Sequence, residues 1–211
     1  MTRRTPLTRT AVLLGALAAA TLTSACAPLL VGGAVVGTSM VVTDRRTSGT
    51  QLEDQAIELK ARTRIREAVG ERGHVNVTSF NRIVLLTGEA AADTDKVAIE
   101  QAVAKIEGVN SVVNEVAVMG SSSLASRSND AILTSKVKAS YIDAKDVFAN
   151  AIKVTTERGI VYLMGRVTER EATRASDIAR GVSGVQKVVR VFEVISEAEL
   201  ADLQPKQAQK Q

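Results

Sequence analysis

The stretch VNVTSFNRIVLLTG (residues 75–88) returns 77 positions later as IKVTTERGIVYLMG (residues 152–165). Val77, Thr78, Ile83, Val84, Leu86 and Gly88 fall on Val154, Thr155, Ile160, Val161, Leu163 and Gly165. After a gap of one residue the match resumes, with Gly108, Val109, Val112, Val113 and Val118 on Gly184, Val185, Val188, Val189 and Val194. An order kept this long marks an internal repeat, so the chain builds two small cores instead of one large one.

Each copy changes its apolar period in the same sequence. In the first, Ile57, Ala61, Ile65 and Ala68 lie at helical spacing, and Gly70 and Gly73 mark the helix exit. Alternation at Val75 and Val77 predicts a strand, Phe80 to Arg82 a turn, and Ile83 to Leu86 a second strand apolar enough to be buried. A second helix follows over about residues 94–106, with Val97, Gln101 or Ala102, and Lys105 or Ile106 sampling its inward stripe. Gly108 ends it, and residues 111–118 form the last strand.

The second copy repeats the plan: a helix over 129–141, strands over 152–156 and 160–165, a helix over 169–182 and a strand over 188–195. Its second helix buries Ala172, Ala175, Ile178 and Val182 and leaves Arg170, Arg174 and Arg180 wet. The expected fold class is α+β: twice over, an αββαβ sandwich in which a three-stranded mixed sheet packs on two helices. The helices cover one sheet face and leave the other for solvent, a neighbour or a ligand. Modules this small have marginal cores, which favours packing of one copy on the other. The divisions expected are 1–25 signal, 26–50 anchor and tether, 51–119 first domain, 120–128 Ser-rich linker, 129–195 second domain and 196–211 disordered polar tail.

Upstream, Arg3, Arg4 and Arg9 precede an apolar run from Ala11 to Ala20, and Thr23, Ser24 and Ala25 stand before Cys26. This is the layout of a secretory signal. The run is too short to cross a bilayer, which takes roughly 20 apolar residues. The only cysteine of the chain directly follows the small residues, as in a bacterial lipobox, although Leu22 sits one place further from Cys26 than is usual. A lone Cys cannot close an internal disulfide, so lipidation at Cys26 is the expectation. Ala27 to Val42 is an apolar segment near the membrane surface, and Asp44 to Thr50 a polar, turn-rich link. Its glycines Gly32, Gly33 and Gly37 lack the strand and Lys-Ser/Thr context of a phosphate loop.

The signal holds three of the 27 basic residues and none of the 23 acidic ones, leaving 24 against 23. That near-balance, with aromatic residues at 2%, argues against a nucleic-acid partner. Catalysis finds no support either. The one His, His74, leads into a strand without a second ligand at metal spacing. Asp93 with Asp95 and Glu169 with Glu171 sit at helix starts, where the helix dipole favours negative charge. No catalytic residue, metal site or cofactor is expected.

Residues 51–118 hold 8 basic and 11 acidic side chains, residues 129–195 hold 11 and 8. Only the second copy is net positive, which suits an anionic lipid surface or a solvated mixed-charge one. Its first helix sets Lys136 and Lys138 beside Ile132, Leu133, Val137, Tyr141 and Ile142, more apolar residues than a narrow core stripe needs. If Leu133, Val137 and Tyr141 face the sheet, Ile132 and Lys136 lie on an adjacent face that could meet headgroups. Periodicity on a short helix does not separate that arrangement from one in which all five are core.

The segments TDRRTSGTQ (43–51), SNDAILTSKVK (128–138) and VYLMGRVTEREA (161–172), the two hairpins and the paired Gly-Val dipeptides resemble the paired BON (bacterial OsmY and nodulation) domains of outer-membrane lipoproteins linked to envelope integrity and division. The resemblance implies an αββαβ fold, an anchor in the outer membrane facing the periplasm, and binding of anionic phospholipid through the first helix of the second domain, at Ile132, Leu133, Lys136, Lys138 and Tyr141. A family member carries an aromatic residue where Ile132 stands, implying shallower insertion here. The alternative expectation is a periplasmic interaction module for outer-membrane assembly machinery, using exposed sheet faces or the first copy.

Overall fold

A computed structural model describes residues 44–144 and 146–203; the expected signal, Cys26 and the apolar segment after it lie outside the described residues. The first copy consists of α1 (Ser48–Val69), β1 (Gly73–Phe80), β2 (Ile83–Ala90), α2 (Asp93–Ala104), β3 (Ser111–Asn114) and β4 (Ala117–Val118). The second consists of α3 (Leu124–Asp143), β5 (Ile152–Glu157), β6 (Ile160–Val167), α4 (Glu169–Gly181) and β7 (Lys187–Val194), followed by α5 (Glu197–Leu203). The α+β class and the αββαβ order are those read from the repeat.

Each sheet is mixed. β1 and β2 form an antiparallel hairpin that pairs Phe80 with Ile83, and β3 adds parallel to β2 after the α2 crossover. β5, β6 and β7 repeat this order. The third strand differs between copies. β7 is continuous, whereas β3 stops at Asn114, whose Oδ1 accepts the Val116 N–H at 3.2 Å. The Asn114 amide donates to Lys96 O and Glu100, tying the break to α2.

The second strand of each hairpin reads as buried because both its faces are covered. Val84 and Leu86 join Ile57, Ile99 and Val103 in the first core, and Val161 and Leu163 join Val137, Tyr141 and Ala175 in the second. The alternate residues Leu85, Tyr162 and Met164 meet Phe80 and Val191 in a third core. The sheets therefore pack back to back, as the marginal size of each module favoured: each copy is the neighbour that covers the other's second sheet face, which leaves the interaction-module alternative without exposed sheet faces at this core.

The repeated glycines are required at this pairing. A Cβ on Gly88 (φ 105°) would stand 2.0 Å from His74 O, and one on Gly165 2.5 Å from Ala151 O. Gly88→Ala is expected to destabilise by at least about 1–3 kcal/mol, since the facing strand must shift. Urea unfolding of residues 44–211 checks this.

Five readings change. On α1 the last inward residue is Val69, while Ala68 is exposed. Both first helices begin earlier than expected: Thr47 caps α1 by accepting the Thr50 N–H, and Ser123 caps α3 by accepting the Ser126 N–H. The second half of the Ser-rich linker is thus a helix start, because Ser is a favoured N-cap. On α2 the inward residues are Ile99 and Val103, with Ile106 just beyond, while Val97 is 53% exposed. On α4, Ala179 is buried and Ile178 only half-buried. The start of the tail is helical as well, with Leu200 buried and Ser196 capping α5 through Glu199 N at 3.1 Å.

Candidate lipid-facing site and the joint behind it

The site begins at a carboxylate. Asp130 on α3 accepts the Arg158 and Gly159 N–H groups, both at 2.8 Å, from the turn of its own hairpin. That turn has positive φ at Arg158 (54°) and Gly159 (74°), as a tight two-residue hairpin requires. Asp54 on α1 does the same for Asn81 and Arg82, at 2.8 Å each, and also accepts from Ser79 Oγ at 2.6 Å. The two Asp residues fix how each helix is rotated on its sheet.

With Asp130 inward, Leu133, Val137 and Tyr141 follow at i+3, i+7 and i+11 and are buried. The Tyr141 hydroxyl donates to Ala175 O at 3.0 Å, and burial pushes its pKa up. Leu133 and Tyr141, which the resemblance included among lipid contacts, are 2% and 1% exposed and belong to the core. They hold the helix; a lipid cannot reach them without unfolding it.

The other three expected contacts face outward. Ile132 is 54% exposed and lies with Ala131, Ser135, Lys136 and Ala139 on a shallow, mainly apolar depression of α3. Lys138 points elsewhere. With Ile142 it lines a separate open cleft of about 300 Å³ together with Arg46, Phe80, Ala149, Ile152 and Lys153. Among the described residues neither Lys136 nor Lys138 has an ion-pair partner, whereas Lys153 donates to Glu58 at 2.8 Å and to Ser79 O at 3.1 Å. No described group of His, Cys, Asp or Glu could hold a metal ion, and no described helix is long and apolar enough to cross a membrane.

Residues 44–47, expected within a polar, turn-rich link, are a strap built into the protein. Arg46 stacks over Phe80, 4.1 Å from the ring centroid, and donates to Asp44 and Asp54. Arg45 crosses to the second domain: it grips Glu171 with two bonds of 2.7 Å and donates to Arg166 O. Glu171 also accepts the Thr168 N–H, completing a capping box at the start of α4. Burial raises the Glu171 pKa, but hydrogen bonds from Arg45 and Thr168 outweigh it and hold the carboxyl below its usual range. The dipole reading of this acid was therefore incomplete. Asp95 likewise pairs with Arg72 at 2.9 Å. Neither arginine partner shows in local sequence spacing.

A polar belt surrounds the sheet-to-sheet core. Arg158 meets the fully buried Glu89 at 3.3 Å, and the Asn76 amide donates to Glu157 at 2.8 Å. Burial raises the Glu157 pKa, opposed by the Asn76 bond and aided by the charges of Glu89 and Asp130. Stability from a raised carboxyl is full below its unfolded pKa of about 4 and is lost as pH rises through the folded value. Glu157→Gln should thus raise the urea midpoint at pH 7 and match the parent near pH 4. Equal midpoints at pH 7 would contradict this.

A family model described as the BON domain matches residues 53–120 and again 129–196. The chain belongs to the BON family, and within it to the dual-domain outer-membrane lipoproteins. It is 39% identical over 194 residues to "Outer membrane lipoprotein DolP" of Haemophilus influenzae, covering 90% of this chain and 97% of that one. It is also similar to the "21 kDa hemolysin" of Actinobacillus pleuropneumoniae, at 30% identity over 72% of this chain and 79% of that one. "Osmotically-inducible protein Y" of Escherichia coli is 26% identical over 66% of this chain and 72% of that one.

Proposed function

We propose that the second BON domain binds anionic phospholipid through the outward face of α3, while a lipid on Cys26 holds the protein in the outer membrane on its periplasmic side, where it supports envelope integrity and division. The observation that carries the reading is Ile132, 54% exposed in an apolar depression beside Lys136, which has no ion-pair partner among the described residues. An apolar side chain beside an ammonium group suits a bilayer surface, where the chain dips between headgroups and the lysine stays at the phosphates. No catalytic step belongs to this role.

Residues 44–211 provide the test, because a chain retaining the apolar residues 27–42 would bind vesicles through them. Cosedimentation with phosphatidylglycerol vesicles at low salt is expected, with weaker binding as salt screens the lysines. Each basic residue near such a surface contributes about 1 kcal/mol, so Lys136→Gln with Lys138→Gln should weaken binding roughly 30-fold. Ile132→Asp should weaken it further. Binding indifferent to all three changes removes the reading.

A second reading has its own observation. On α1, Leu52 (69% exposed), Ala56 and Leu59 (68% exposed) lie at i, i+4 and i+7 and form an outward apolar stripe on the first domain. A helix stripe of this kind fits a protein partner, such as an outer-membrane assembly factor. Crosslinks from intact cells that cluster at Leu52 and Leu59 and survive loss of lipid binding would favour it.

A further inference from the structure

Phe148 is 50% exposed, and the loop around it holds it there. Its neighbour Val147 is buried and donates its N–H to Ala144 O, and Ala151, also buried, donates to Phe148 O at 2.9 Å. The backbone is pinned on both sides of an aromatic ring that faces out. Ile142, at 73% the more exposed, lines the same cleft as Ala149, the residue after Phe148.

The strap reaches this spot. The Arg45 guanidinium lies 5.6 Å from the Phe148 ring centroid and is fixed there by its two bonds to Glu171. Arg46 lines the cleft with Lys138 and Ile142. Asp44, bonded to Arg46, is where the chain leads back toward Cys26. Every residue from Ala27 to Val42 is uncharged, and most are apolar. A lipidated segment of that composition gains by staying in the bilayer interface, so the surface from which Asp44 emerges is the one held against the membrane.

We infer that Phe148, together with Ile142 on the cleft that the next residue, Ala149, lines, is a second point of bilayer contact, inserted at the tether's exit. The inference rests on the membrane-engaging second domain proposed above but uses a different face. At 100° per residue, Ile142 is turned about 80° and Lys138 about 120° around α3 from Ile132. The Arg45 to Glu171 clasp gives the patch its place, because it couples the anchor to this corner of the second domain. Lys138, without an ion-pair partner among the described residues, supplies a cation for the phosphates around the inserted ring.

The chain contains no Trp, so one introduced indole is the only such emitter. Full-length lipidated protein is reconstituted into phosphatidylglycerol-containing vesicles carrying acyl-chain nitroxide lipids, with Trp placed singly at Phe148→Trp, Ile142→Trp, Ile132→Trp or, as an exposed control on α4, Thr173→Trp. Phe148→Trp is expected to shift to the blue and lose most of its emission to the nitroxide, Ile142→Trp to behave alike, and Thr173→Trp to stay unquenched. Ile142→Trp keeps the test valid if the ring exchange at 148 disturbs the loop. Quenching at 132 with none at 148 or 142 overturns this inference and leaves the proposed lipid face standing. Quenching at 148 and 142 with none at 132 does the reverse.

Discussion

Asp54→Ala is expected to lower the unfolding free energy of residues 44–211 by roughly 3–5 kcal/mol, the range for breaking a buried charge pair, and to lower Tm by about 10 °C. The side chain is 2% exposed and satisfies the Ser79 hydroxyl, the Asn81 and Arg82 N–H groups and Arg46 at once. Its removal leaves those donors facing an apolar Cβ inside the first domain. Burial raises the Asp54 pKa, but the bonds from Ser79, Arg82, Arg46 and Asn81 outweigh it and leave the carboxyl below its usual range. A depressed carboxyl contributes its full stability above the unfolded pKa of about 4 and loses it as pH falls through the folded value. The variant and the parent should therefore converge only in strong acid. Asp130→Ala, which strands two turn N–H groups and no arginine, should cost less, about 2–3 kcal/mol. Urea midpoints across pH read both.

Breaking the Arg45 to Glu171 clasp has an effect of similar size. Arg45→Met leaves a carboxylate that is 3% exposed without its cation, at a cost of about 3–5 kcal/mol. Glu171→Gln in the same chain removes the stranded charge and should recover a large part of that loss. A cycle of the two substitutions separates pairing from packing. The Glu171 contribution also falls away as pH drops below about 4, because its folded pKa is depressed. If Arg45→Met leaves the urea midpoint unchanged at pH 7, the strap is not part of the folded unit.

The fold was legible because the repeat carried it. Ile57, Ala61 and Ile65 at helical spacing, the hairpins and Gly88 with Gly165 lie where the pattern put them. The stripe of α2 was not legible. Apolar residues at 97, 98, 99, 102, 103 and 104 surround that short helix, and only contact with β2 and α1 chooses Ile99 and Val103. On α3 the same ambiguity mixed Leu133 and Tyr141 with Ile132. The residue that resolves it, Asp130, was available: it repeats Asp54 at the spacing that relates Gly184 to Gly108. Carrying the repeat back through the helix would have found both turn anchors. Arg45 could not be found that way, since its partner is 126 residues distant. Packing of one copy on the other followed from the small size of each module, and it removes the sheet faces that the interaction-module alternative would have used.

Contact between the outward face of α3 and anionic lipid is read by NMR titration of 15N-labelled residues 44–211 with phosphatidylglycerol-containing micelles or bicelles. Shift changes concentrated at Ala131, Ile132, Ser135, Lys136 and Ala139 are expected, absent with zwitterionic lipid alone and weakened by salt. Changes confined to the Leu52 to Leu59 stripe of α1, or none on α3, would contradict it.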